Sequence, residues 1–167
     1  MLESSLFKRL ELQLLMNLTA SAFGRKPERI WTWPHRQALE TYALFTSNFL
    51  REGADEALLQ RMNQKAYRMG KMLRTLFLVR SESRAHWIII TLYRNIGIHL
   101  SFEDVRNLYF RRCYFSKHYT PAVCLAASML DDGIIRGILG QPAGRLCFRQ
   151  RITEGCSCCK ATLVETI

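Results

Sequence analysis

Leu6, Leu10, Leu14 and Leu18 recur every fourth position, with Phe7 and Leu15 beside them, a spacing that stacks side chains along one face of a helix over residues 2–23. Gly24 ends that helix. Pro34 suits the first turn of a second helix, running to about Leu50, because its missing N–H would be unpaired there anyway. This helix is expected to bury Leu39, Tyr42, Ala43, Thr46 and Phe49. After Gly53, Asp55 can cap a third helix over 56–79, in which Leu58, Met62, Met69, Leu73 and Leu76 form an apolar face. Arg61, Lys65, Arg68, Lys71 and Arg74 form a basic stripe on another face. Ser81 or Ser83 opens a fourth helix with Ala85, Ile88, Ile89, Leu92 and Ile96 inward, ending near Gly97. Ser101 and Asp104 have capping-box spacing, which predicts a short fifth helix carrying Phe102, Val105, Leu108 and Tyr109.

Thr120 followed by Pro121 starts a helix bearing Val123, Cys124, Ala127 and Leu130, which Asp131, Asp132 and Gly133 are expected to interrupt. Beyond Gly140 and Gly144 the period changes to two: Leu146, Phe148 and Ile152 point one way, Arg145, Cys147, Arg149 and Arg151 the other. Glu154-Gly155 reads as a hairpin turn into a second strand from Cys156 to about Glu165. The pattern predicts a mainly α, multi-helix single domain over 1–167, closed by a short C-terminal antiparallel β-hairpin at about 145–165.

A length of 167 residues is enough for a core that needs no disulfides. No apolar run reaches the length of a membrane span, and no membrane partner is expected. Glu3 and Glu11 stand where a secretory signal needs positive charge and an unbroken apolar run, so the first helix reads as structural and the chain as cytoplasmic. In that compartment the six cysteines are expected as thiols. The net charge of +10 is concentrated between residues 61 and 112, where 11 basic residues face 3 acidic ones. Such a field favours anionic partners. Nucleic acid is the weaker candidate, because Tyr67 and Phe77 lie toward the apolar side of the basic stripe and offer bases no exposed platform. Trp31, Trp33 and Trp87 are read as core anchors.

Three groupings carry candidate chemistry. Cys113, His118 and Cys124, then Cys156, Cys158 and Cys159, supply the thiolates and imidazole that bind zinc or an iron–sulfur cluster; the same thiols could equally form a redox pair or be inert filler. Asp131 and His118 supply acid–base chemistry if they face one cavity, although acids before a glycine also cap helices. Arg145, Arg149, Arg151 and Lys160 alternate along the hairpin, with Arg149 expected opposite Lys160, where an anion would relieve their repulsion.

The loop RRCYFSKHYTPAVC, the segment Asp131-Asp132-Gly133 with Gly137 and Gly140, and the run GRLCFRQRITEGCSCC together resemble the C-terminal part of the bacterial L-2-amino-thiazoline-4-carboxylic acid hydrolase family. The resemblance covers roughly the last third of the chain. It implies a helical domain closed by a hairpin and ring-opening hydrolysis of a small cysteine-derived heterocycle. That reaction needs water activated by a metal or a base, and a cation to hold the substrate carboxylate. By matching positions, Cys113, Cys124 and the Cys156–Cys159 cluster would form the site walls or ligands, with Arg151 as anion clamp.

The candidate set is therefore His118 and Asp131 for catalysis, Tyr119, Phe148 and Arg151 for substrate binding, and Cys113, Cys124, Cys156, Cys158 and Cys159 for metal. A hydrolase of a carboxylate-bearing heterocycle is the leading expectation, with oligomerisation open. The alternative is a binding module sensing a metal, redox state or small anionic metabolite through the same residues. Both readings require His118, Cys124 and Cys156 to meet around one cavity beside a positive charge.

Overall fold

The computed structural model describes residues 4–141 and 143–165. Five α-helices occupy most of the chain: α1 Ser5–Ala22, α2 His35–Arg51, α3 Glu56–Leu76, α4 Glu82–Asn95 and α5 Pro121–Leu139. The strands β1 Ile98–Phe102, β2 Asn107–Cys113, β3 Gly144–Gln150 and β4 Cys159–Glu165 form one antiparallel sheet in the order β1-β2-β4-β3. The protein is mainly α with a C-terminal β part. No helix among the described residues is long and apolar enough to cross a membrane.

Caps fix the helix starts where the sequence places them. Asp55, Ser81 and Thr120 each accept a hydrogen bond from a backbone N–H three residues on, satisfying a donor that has no partner within the helix. The expected fifth helix at Ser101–Tyr109 is instead the β1–β2 hairpin. Asp104 Oδ1 accepts from Arg106 N at 2.7 Å and Asn107 N at 2.8 Å, so the acid closes a turn and does not cap a helix. The C-terminal hairpin is correspondingly only half of a larger sheet. A short 3₁₀ turn, Ile152–Glu154, replaces the simple two-residue reversal. A register shift between Phe148 and Gln150 puts Gln150, not Arg149, opposite Lys160.

Leu100, Leu108, Phe110, Leu146, Ala161 and Leu163 turn inward from the sheet onto the helical layer, and polar residues alternate outward. Trp31 and Trp87 are exposed and do not anchor the core; only Trp33 packs partly against it. On α1, Leu12, Leu15, Met16 and Leu18 are buried, but Leu6, Leu10 and Leu14 are exposed. The leucine stripe is thus a second apolar face, left outside.

The most intimate contact joins α3 to α5. A Cβ on Gly137 would stand 2.8 Å from Gly70 Cα and from Lys71 N, and one on Gly133 2.6 Å from Ala66 Cβ. Gly133 therefore does not interrupt α5; the helix runs through it because only hydrogen fits there. Beside this crossing, Arg136 donates from Nε to Asp132 Oδ1 and from Nη2 to Oδ2, both at 2.9 Å. Asp132 Oδ1 also accepts from Leu146 N at 2.6 Å, tying α5 to β3.

Gly137→Ala is expected to cost about 3 kcal/mol, since the added methyl meets backbone that cannot rotate aside. Chemical denaturation checks this, with Gly144→Ala, whose Cβ comes no nearer than 3.5 Å to any neighbour, as the comparison.

Candidate functional site

A cavity of about 130 Å³ lies between α1, α3, α4, α5 and the sheet. Its wall is mostly leucine, isoleucine and aromatic side chains. Among the residues lining it, the exposed ones are Leu10, Leu14 and Leu76, at 44%, 41% and 64% of full exposure, so this is where the cavity meets the surface. The opening lies in the seam between α1 and α3. These helices run antiparallel: the Phe7 and Phe77 rings are 6.0 Å apart at one end, and Lys65 Nζ donates to Ser21 Oγ at 2.9 Å near the other.

Asp131 marks the inner end. Asn63 on α3 bonds Asp132, the neighbour of Asp131 on α5, and Leu76 lies thirteen residues further along α3, about 20 Å away at 1.5 Å per residue. Asp131 and Tyr119 sit deep in the molecule yet keep partly accessible surface, because that surface is cavity wall. Tyr93 donates its hydroxyl to Asp131 Oδ1 at 2.8 Å. Burial pushes the Asp131 carboxyl up to about 7; the Tyr93 hydrogen bond and the Arg151 charge only partly oppose this, and the Asp132 charge adds to it. Burial likewise raises Glu11, on the cavity wall, to about 8 against the lowering effect of its 2.9 Å hydrogen bond from Asn95 Nδ2.

The chain's six cysteines, all candidates except Cys147, divide evenly. Cys113, Cys124 and Cys159 line the cavity; Cys156, Cys158 and Cys147 do not. Burial raises all three wall thiols, Cys113 to about 12 and Cys159 to about 11, which makes them uncharged and poorly nucleophilic near neutral pH. Tyr119 and Asp131 also line the cavity. His118 does not: its ring tilts against Tyr114 at 5.3 Å, and its carbonyl accepts from Ser47 Oγ at 2.9 Å. Cys158 Sγ accepts a 3.4 Å hydrogen bond from Gln150 Nε2. The expected meeting of His118, Cys124 and Cys156 is therefore not realised; Asp131, Cys113 and Cys159 join Cys124 in their place.

Phe148 and Arg151 stand behind the wall. The Arg151 guanidinium lies 5.2 Å over the Phe148 ring, which is itself 5.4 Å from Phe110. Its side chain is 12% exposed, its Nη1 is 3.5 Å from Glu154 Oε1, and its buried Nε has no hydrogen-bond partner among the described residues. Alternation along a strand would have put Arg151 in solvent, but β3 ends at Gln150 and the chain turns it inward. Its positive charge reaches Asp131, Cys124 and Cys159.

Among the described residues no three His, Cys, Asp or Glu side chains are grouped to hold a metal ion. Glu11, Tyr93 and the leucines of the opening were not singled out as site residues in the sequence. Glu11 alone carried a signal there, as an acid flanked by Leu10 and Leu12. Comparison with protein-family models and with curated proteins finds no match to this chain.

Two measurements follow from the buried acids and thiols. The folded state holds the Asp131 and Glu11 protons above their ordinary values of 3.8 and 4.5, up to about 7 and about 8. In that window the folded chain binds more protons than the unfolded one, so these groups favour folding at the acid end and lose that contribution as pH rises. Asp131→Asn is expected to flatten the fall in Tm across the window and to raise Tm at its alkaline end. Separately, Cys113, Cys124 and Cys159 are expected to react slowly with Ellman's reagent in the native protein and rapidly once it is denatured; the time course of thiol release checks this.

Proposed function

We propose that the protein is a binding module for a small amphiphile, its apolar body held among the leucines and its polar head at Asp131. The carrying observation is the make-up of the cavity wall: mostly hydrocarbon, with a protonatable carboxyl at Asp131 held by Tyr93, a second at Glu11, and Thr153 and three neutral thiols among the remaining polar groups. The volume of about 130 Å³ is close to the roughly 150 Å³ of an apolar protein cavity that takes up benzene, so the enclosed part suits one ring or a short alkyl chain. A carboxyl head is favoured, because a protonated Asp131 donates to it and Arg151 supplies positive charge behind the wall. This agrees with the expectation of a small anionic ligand and assigns Arg151 an electrostatic role through Asp131.

Octanoic acid, octanol and octylamine share an alkyl body and differ in the head, which makes them a direct test by calorimetry and thermal shift. Octanoic acid is expected to bind most tightly, and Asp131→Leu, which has no polar hydrogen, to weaken it about tenfold by removing the donor. Ala127 lines the cavity, and Ala127→Phe is expected to abolish binding of all three while the fold is kept. No binding by any of them, or equal binding by Ala127→Phe, would overturn the reading.

Hydrolysis of a carboxylate-bearing heterocycle is a second reading, favoured by one observation: a carboxyl that exchanges its proton near 7 faces a cavity bordered by thiols. Incubation with L-2-amino-thiazoline-4-carboxylate tests it through the appearance of a new thiol. Asp131→Asn is expected to reduce that rate by at least about a hundredfold, the usual contribution of a general base.

A further inference from the structure

The cavity opening has an unusual composition for a protein that takes its ligand from water. Leu10, Leu14 and Leu76 frame it, and Leu6, Met72 and Leu78 extend the exposed apolar surface on the same two elements. Leu78 is 68% exposed and holds φ at +49°, a left-handed conformation uncommon for leucine, just past the end of α3. Isolated exposed leucines need no explanation, but a contiguous set around an entrance does.

The charge along the two helices that frame this surface is almost all of one sign. Residues 57–81 contain no Asp or Glu, and Arg61, Lys65, Arg68, Lys71, Arg74 and Arg80 fall within them. The only acid of α1 is Glu11, which is buried. Positions 65, 68, 72 and 76 follow one another at helical spacing, so the basic stripe of α3 leads directly into the leucines. Lys8 and Arg9 lie one residue from Phe7 and Leu10 on α1. Lys8, Arg9, Arg68, Lys71 and Arg80 have no carboxylate partner among the described residues.

We propose that the leucine-framed opening docks on an anionic phospholipid bilayer surface, from which the cavity draws its ligand. This rests on the amphiphile reading of the cavity. A bilayer interface matches both features together: acyl chains accept the leucines, and anionic headgroups accept the lysines and arginines around them. A second copy of this chain fits less well, since an isologous contact would set each basic array against itself. Nucleic acid would satisfy the charges and leave the leucines in water. The expectation of no membrane partner was drawn from the lack of a span and does not bear on surface docking.

Co-sedimentation of the full chain with vesicles tests the proposal. Binding is expected to vesicles of equimolar phosphatidylcholine and phosphatidylglycerol, and to be at least about tenfold weaker to phosphatidylcholine alone. The exposed pair Leu10→Ser/Leu76→Ser is expected to lose binding about tenfold or more, as is Arg68→Glu/Lys71→Glu, with Tm and circular dichroism unchanged. Absence of vesicle binding, equal binding to both compositions, or retention of binding by the leucine pair would overturn it. So would a concentration-dependent dimer, seen by light scattering, that the leucine pair disrupts while vesicles are ignored. Octanoic acid titrated in solution separates the two readings: if it binds and vesicles do not, docking fails and the cavity assignment stands, whereas vesicle binding without octanoic acid uptake supports docking and removes the cavity assignment.

Discussion

Backbone contact between α3 and α5 is the constraint on which the rest of the structure depends. Three glycines at this crossing, Gly70, Gly133 and Gly137, let the helices touch without intervening side chains. Interhelical distance is ordinarily set by the side chains between the axes; here it is set by hydrogen atoms. Bringing α5 this close to α3 along one face leaves Ala127 and Asp131, turned away from that face, on the wall of the cavity that α1 and α4 also line.

The same crossing separates two adjacent acids. Successive residues on a helix point about 100° apart, so when Asp132 faces α3 and β3, Asp131 must face elsewhere. Asp132 is fully committed to Arg136, Asn63 and the Leu146 backbone. Removing one member of such a buried pair would strand a charge, which is why it works as a fixed brace. Asp131 has one tyrosine hydroxyl and a distant arginine, too little to offset the burial that pushes its carboxyl up to about 7. Two identical side chains, one residue apart, thereby differ in partners and role.

Much of the helical layer was legible, because 3.6-residue periodicity and Asp55, Ser81 and Thr120 caps are local properties. The failures were also local signals with two physical meanings. Ser101 and Asp104 at capping spacing described an Asx-closed hairpin as well as a helix start, and only pairing of β2 with β4, fifty residues away in sequence, decides between them. Gly133 after two acids read as a breaker because what it packs against, Ala66 with the Asn63 and Tyr67 backbone, lies on another helix. At the site, Asp131, Tyr119, Cys113, Cys124 and Cys159 were named from residue type and do share one cavity. His118 was named on the same grounds and lies outside it, turned against Tyr114, as do Cys156 and Cys158, since the path of the chain around residues 150–159 is set by a strand bulge and a 3₁₀ turn that residue type does not encode.

The leucines of α1 show why an apolar stripe cannot by itself be assigned to a core. Leu12, Leu15 and Met16 already satisfy the hydrophobic contact of that helix with the interior. A second stripe nearly half a turn away adds nothing to folding and exposes hydrocarbon to water, a cost borne in the free protein. Such a stripe is coherent only if something reduces that exposure during function. Its position where the most exposed of the described wall residues meet the surface, between helices that carry positive charge and almost no negative charge, ties the exposed hydrocarbon, the basic excess and the buried carboxyls to one path running from the surface to Asp131.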